Sequence, residues 1–219
     1  RAGDLPTRAA VLILPDVRGL YAFYEELTLR FAEAGLDALA IDYFGRTAGT
    51  ADRPADFDHL PHVTETRWAG LRADILAGAR HLAAAAGPAE GGRDLYVVGF
   101  CFGGRLAYLS ATLDDPGFAG VVGFYGLPVG AGRGDSPAPI DEVTRIQSRV
   151  LGLFGGADGG IPAEAVADFE AALTGAGVPH ELVTYPGAPH SFFDRKAAEF
   201  QAESDDAWQR TLAFIRSGV

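Results

Sequence analysis

Chemistry in this chain centres on Gly99-Phe100-Cys101-Phe102-Gly103-Gly104. Cys101 is the single cysteine among 219 residues. The apolar run Leu95-Tyr96-Val97-Val98 leads in, and the helix-like run Arg105-Leu106-Ala107-Tyr108-Leu109 leads away. That pattern reads as a strand, a tight turn and a helix, with the thiol at the apex. Glycines two residues before and two after it let strand and helix close around a strained residue. The following helix N-terminus favours an anion, which suits a sulfur nucleophile and a covalent intermediate. A lone cysteine is more often a small buried core residue. Here the flanking glycines favour the nucleophile.

A sulfur nucleophile needs a base within reach, and the base needs a group to orient it. Among His59, His62, His81, His180 and His190, only His190 follows a turn-forming run, Pro186-Gly187-Ala188-Pro189, after an apolar strand pattern. It is therefore expected in a loop at a strand's carboxyl end, where open α/β sheets place their sites. His81 falls mid-helix, His180 opens a strand, and His59 and His62 flank Pro61 in a long loop. Asp158 lies in Gly155-Gly156-Ala157-Asp158-Gly159-Gly160, where glycines allow the sharp bend that aims a carboxylate inward. An ordinary Asp/Gly turn would look similar. The chain order Cys101, Asp158, His190 favours the catalytic reading: nucleophile, acid, histidine. Acyl transfer also needs donors for an oxyanion. The N–H of Phe102, next after the thiol, is one candidate. Val17, in the loop Pro15-Asp16-Val17-Arg18-Gly19, is the other.

The elements that must hold these groups alternate. Strand-like runs fall at Ala9–Leu14, Leu36–Ile41, Leu95–Gly99, Val121–Tyr125, Val150–Phe154 and Glu181–Tyr185. Helix-like runs fall at Tyr21–Ala34, Thr64–Ala86, Pro162–Gly175 and Ala197–Ser217. Two Gly/Pro-rich loops, Gly45–Pro61 and Gly126–Pro139, remain. Short apolar strands separated by helices predict a mostly parallel sheet covered on both faces. With no repeat and no long linker, residues 1–219 read as one α/β domain without a separate cap.

Composition narrows the function. The formal net charge is −11, from 18 Lys+Arg against 29 Asp+Glu, which argues against nucleic acid or an anionic membrane as partner. One cysteine excludes an intrachain disulfide and a thiolate metal cluster. No apolar run approaches the ~20 residues of a membrane span, and no signal peptide is visible, so a cytoplasmic location is expected. No metal or cofactor is called for, and the chain is expected to act as a monomer or homodimer.

Taken together, the cysteine turn, the Asp158 loop and Pro189-His190-Ser191-Phe192-Phe193 resemble the dienelactone hydrolase family of α/β-hydrolases. Pro15-Asp16-Val17-Arg18-Gly19-Leu20 and Asp42-Tyr43-Phe44-Gly45-Arg46 agree with that resemblance, which covers nearly the whole chain. It implies Cys101 as nucleophile, His190 as base and Asp158 as its orienter. It also implies that Asp16 stands where a longer acid contacts and gates the resting thiol, and that Arg46 holds a substrate carboxylate. Arg195, one position out of register, is the nearest match to a second such arginine. Phe44, Tyr125 and Phe192 are expected to build an apolar pocket. The implied activity is hydrolysis of a small ester or lactone. Two alternatives are a general carboxylesterase and a non-catalytic ligand-binding or redox-sensing protein. The family's edge hairpin has no room ahead of Ala9, so either that edge is shorter or the sequence is a fragment.

Overall fold

A computed structural model describes residues 9–51, 53–54, 56–85 and 93–218. The space ahead of Ala9, where an edge hairpin would lie, falls outside them. Among the described residues, six strands form one sheet: β1 (Ala9–Leu14), β2 (Asp37–Ala40), β3 (Asp94–Phe100), β4 (Gly120–Phe124), β5 (Arg149–Gly155) and β6 (His180–Tyr185). All pairings are parallel, in the order β2-β1-β3-β4-β5-β6. Every residue of β1 and β4 is buried, which is why these strands read as continuous apolar runs. At the edges β2 and β6 are only partly buried.

The helices are α1 (Ala22–Glu33), α2 (Gly45–Ala48), α3 (Leu60–Glu65), α4 (Trp68–Ala84), α5 (Phe102–Ser110), α6 (Ala163–Gly175) and α7 (Gln201–Arg216). A 3-10 turn covers Pro139–Arg145. Right-handed crossovers place α1 on one face and α4, α5 and α6 on the other. The aromatic contacts agree: Phe31 of α1 meets Trp208 of α7 at 4.8 Å, and Tyr108 of α5 meets Phe169 of α6 at 5.0 Å. The chain steps outward from β1 to β2 and then returns past β1 to β3. This reversal separates the crossovers at the carboxyl ends of β1 and β3, the place where such sheets bind ligands. The loop after Leu14 and the turn after Phe100 are side by side there, because Leu14 pairs with Gly99.

One expected element is divided. The apolar spacing predicts a helix over Thr64–Ala86, but α3 ends at Glu65 and α4 opens at Trp68. Thr66 and Arg67 are extended, with ψ of 143° and 144°. The Thr66 hydroxyl donates to the Val63 carbonyl at 2.7 Å. The Asp135 carboxylate, from the distant 126–139 loop, accepts the Trp68 N–H at 2.5 Å. A cap supplied from 67 residues away leaves no local sequence signal.

Candidate active site

Gly99 and Gly103 determine how the thiol is held. A Cβ on Gly99 would collide with the carbonyl of Gly103, and one on Gly103 with the carbonyl of Leu14. Only hydrogen fits where β1, β3 and α5 converge. Cys101 caps α5 at φ 54° and ψ −110°, a conformation L-residues rarely adopt. Its N–H donates to Phe124 O at 2.9 Å, so the bend is tied to β4. Among the described residues, the non-glycine positions with positive φ are Cys101, Tyr125 and Ser191. Tyr125 directly follows β4, and Ser191 follows His190. Backbone strain is therefore concentrated around one spot.

His190 and Asp158 arrive there from the loops after β6 and β5. The protonated Nδ1 of His190 donates to Asp158 Oδ2 at 2.6 Å, which leaves Nε2 for the thiol. Asp158 is almost fully buried, and its other oxygen accepts the Gly160 N–H at 2.8 Å. Partial burial disfavours a charged imidazole. The hydrogen bonds to Asp158 and to Cys101 outweigh it, and the His190 pKa is pushed up from 6.5 to about 10. The Tyr125 ring lies 4.9 Å from that of His190, and its buried hydroxyl has no hydrogen-bond partner among the described residues.

A cavity of about 210 Å³ opens over the sulfur. Its lining brings together Val17, Cys101, Phe102, Tyr125 and His190. Among the described residues, neither the Val17 nor the Phe102 N–H has a hydrogen-bond acceptor. Both donors are thus open for an oxyanion.

Other predicted site residues lie elsewhere. Arg46 is not part of this cavity. Both its terminal nitrogens donate to Asp74, at 2.6 and 2.5 Å, beside a separate depression lined by His62 and Glu65. Phe44 is fully buried under Phe57 and His62. Phe192 is core, packed beneath Tyr125 and Tyr185. Arg195 donates to Ser191 Oγ at 3.0 Å on the histidine loop. Asp16 is held by Arg18, whose N–H donates at 2.8 Å and whose guanidinium reaches both carboxylate oxygens. Arg18 also bridges to buried Asp194 at 3.3 Å. The carboxylate of Asp16 is therefore occupied with Arg18, and no hydrogen bond joins it to the thiol.

The sequence pattern alone missed the far wall of the cavity: Arg105, Leu127, Ala131, Gly132, Arg133, Gly160 and Ile161. Arg105 is only 3 % exposed. Its guanidinium donates to four carbonyls of one loop: Leu127 at 3.0 Å, Val129 at 3.1 Å, Gly130 at 2.7 Å and Pro137 at 2.8 Å. An arginine inside an otherwise apolar helical run was the available signal.

A strained cysteine turn after β3, an acid after β5 and a histidine after β6 lie where α/β-hydrolases carry their site residues, and the chain has that fold. The sequence matches the dienelactone hydrolase family over residues 3–218, and the chain belongs to that family of carboxylic ester hydrolases. A Salmonella typhimurium protein assigned as a carboxymethylenebutenolidase is 34% identical over 221 residues, spanning 97% of this chain and 77% of that one. A Bradyrhizobium protein assigned as a 2-oxo-3-(5-oxofuran-2-ylidene)propanoate lactonase is 29% identical, spanning 98% of this chain and 84% of its own length. The crystal structure of a Klebsiella pneumoniae protein assigned as a dienelactone hydrolase superposes with a TM-score of 0.79 at 30% identity. That match covers 99% of this chain and 89% of the other.

Proposed function

We propose that the protein hydrolyses small esters or lactones through a thioester on Cys101. The observation that carries this reading is a strained cysteine sharing one cavity with a histidine that is itself 2.6 Å from a buried aspartate. His190 takes the thiol proton, aided by Asp158, and sulfur attacks the carbonyl carbon. The oxyanion then rests on the Val17 and Phe102 N–H groups. Collapse breaks the carbon–oxygen bond, and His190 returns its proton to the departing oxygen. Water, deprotonated by His190, opens the thioester, releasing the acid and restoring the thiol. An enol-lactone suits this site, since its leaving enolate is already stabilised.

Cys101→Ala is expected to abolish hydrolysis while keeping stability within ~2 kcal/mol of the parent. Stopping the parent's reaction with acid and weighing the protein should reveal an acyl group on Cys101. Turnover by Cys101→Ala, or hydrolysis with no acyl-enzyme, excludes the covalent route. A general carboxylesterase remains the second reading, because pairing with Asp74 removes Arg46 from the role of carboxylate anchor.

A further inference from the structure

Each main-chain N–H of the turn that follows β1 can be traced to its acceptor. The Asp16 N–H donates to the Tyr24 hydroxyl at 2.9 Å. The Gly19 N–H donates to the Asp16 carbonyl at 3.0 Å and closes a turn over residues 16–19. The Arg18 N–H donates to Asp16 Oδ1 at 2.8 Å, so the carboxylate serves inside the turn as a second backbone carbonyl would. Among the described residues, Val17 alone of these four has an N–H without an acceptor.

The turn is fixed on several sides. Gly19 has φ 78°, and a Cβ there would stand 2.7 Å from the buried Phe44 ring. The Pro15 carbonyl accepts from the Tyr43 hydroxyl at 3.2 Å. It also packs so close to Gly103 that a Cβ on that glycine would lie 2.4 Å from it. This contact seats the loop against the first turn of α5, which supplies the Phe102 N–H. The Asp16 side chain is 5 % exposed and needs a counter-charge. Arg18 supplies it through both carboxylate oxygens, and the same guanidinium reaches the Asp194 side chain, 1 % exposed, at 3.3 Å. Asp194 lies on the loop that carries His190, so the two loops are tied together.

We propose that Asp16 is a positioning residue for the oxyanion. Its carboxylate folds the loop so that the Val17 N–H is the donor left free, and Arg18 and Asp194 hold that fold in register with His190. This role rests on the hydrolase reading. It differs from the thiol gating that the family resemblance implies, because the carboxylate acts on the backbone of its own loop. A substrate carbonyl gains most from the Val17 donor once it has become an oxyanion, so the effect belongs to the transition state.

The test sets Asp16→Ala beside Asp16→Asn in the hydrolysis of p-nitrophenyl acetate. Asparagine keeps an oxygen for the Arg18 N–H and lacks the charge. Asp16→Ala should lower kcat about tenfold to a hundredfold with KM little changed, somewhat less than deleting an oxyanion donor outright. Asp16→Asn should restore kcat to within about threefold of the parent. Thiol reactivity is read separately, from the rate at which Cys101 attacks dipyridyl disulfide, forming a mixed disulfide and releasing pyridinethione. That step develops no oxyanion, and its rate should stay within about threefold of the parent in both variants. Equal losses of kcat in the two variants overturn the assignment, since the charge would then be the active feature. A thiol rate that falls as far as kcat in Asp16→Ala overturns it too. Should Asp16→Ala fail to fold, Asp16→Asn decides alone: kcat within about threefold supports the role, and a larger loss overturns it. If the parent cleaves no ester, the hydrolase reading fails, and the donor is read with trifluoroacetone instead. The Cys101 sulfur adds to its carbonyl carbon, His190 takes the thiol proton, and the oxygen becomes the anion. Tenfold weaker binding by Asp16→Ala, on the order of a misplaced donor, supports the assignment, and equal binding overturns it.

Discussion

At the scale of single residues, the site stores strain and pairs charge. Holding Cys101 at φ 54° costs about 1–3 kcal/mol, and the cost persists because β4 and α5 leave the backbone no other path. Cys101→Gly should therefore be about 1 kcal/mol more stable than Cys101→Ala in urea unfolding, since glycine alone adopts that φ freely. Charge pairing sets the pH dependence. The His190 pKa rises from 6.5 unfolded to about 10 folded, so its pairing with Asp158 and Cys101 stabilises the fold in full below pH 6.5. That contribution is lost as pH rises through about 10. Urea midpoints of the parent and Asp158→Asn should differ most at about pH 6 and converge toward pH 10.5, about half a unit above that pKa. Hydrolysis should likewise decline as His190 loses the proton it donates to the leaving oxygen.

Among the elements, the elbow and the braced loop respond to substitution in different ways. Gly99→Ala sets a methyl group against the Gly103 backbone, which cannot swing aside as a side chain can. Loss of ~4 kcal/mol or more is expected, visible as insoluble expression or a collapsed melting temperature. Arg105→Met keeps the length of the side chain but leaves the carbonyls of Leu127, Val129, Gly130 and Pro137 without this donor. Calorimetry should show a loss of about 3 kcal/mol, since buried acceptors lose partners. The strand–turn–helix around Cys101 was legible because its glycines and apolar runs are local. The division of α3 from α4 was not, because the Asp135 carboxylate that caps Trp68 belongs to a loop far along the chain. Arg105 was illegible as a brace for the same reason: its four acceptors are main-chain atoms, which carry no residue signature.

For the whole molecule, stability should fall from the middle of the sheet outward. The amides of β3 and β4, buried between β1 and β5, should exchange with solvent only on global unfolding, whereas those of edge strands β2 and β6 should exchange earlier. Mass spectrometry of deuterated peptides measures this ordering directly. Alternating apolar runs and helical periods in the sequence determined an α/β parallel sheet and the turn that carries Cys101. These are short-range patterns, each written within about ten residues. Tertiary structure alone decided which charges remained available. Arg46 and Asp16 looked committed to the site by position, yet Asp74 and Arg18 hold them. A guanidinium's role depends on which carboxylates the fold brings within about 4 Å, and that proximity is a property of three dimensions rather than of spacing along the chain.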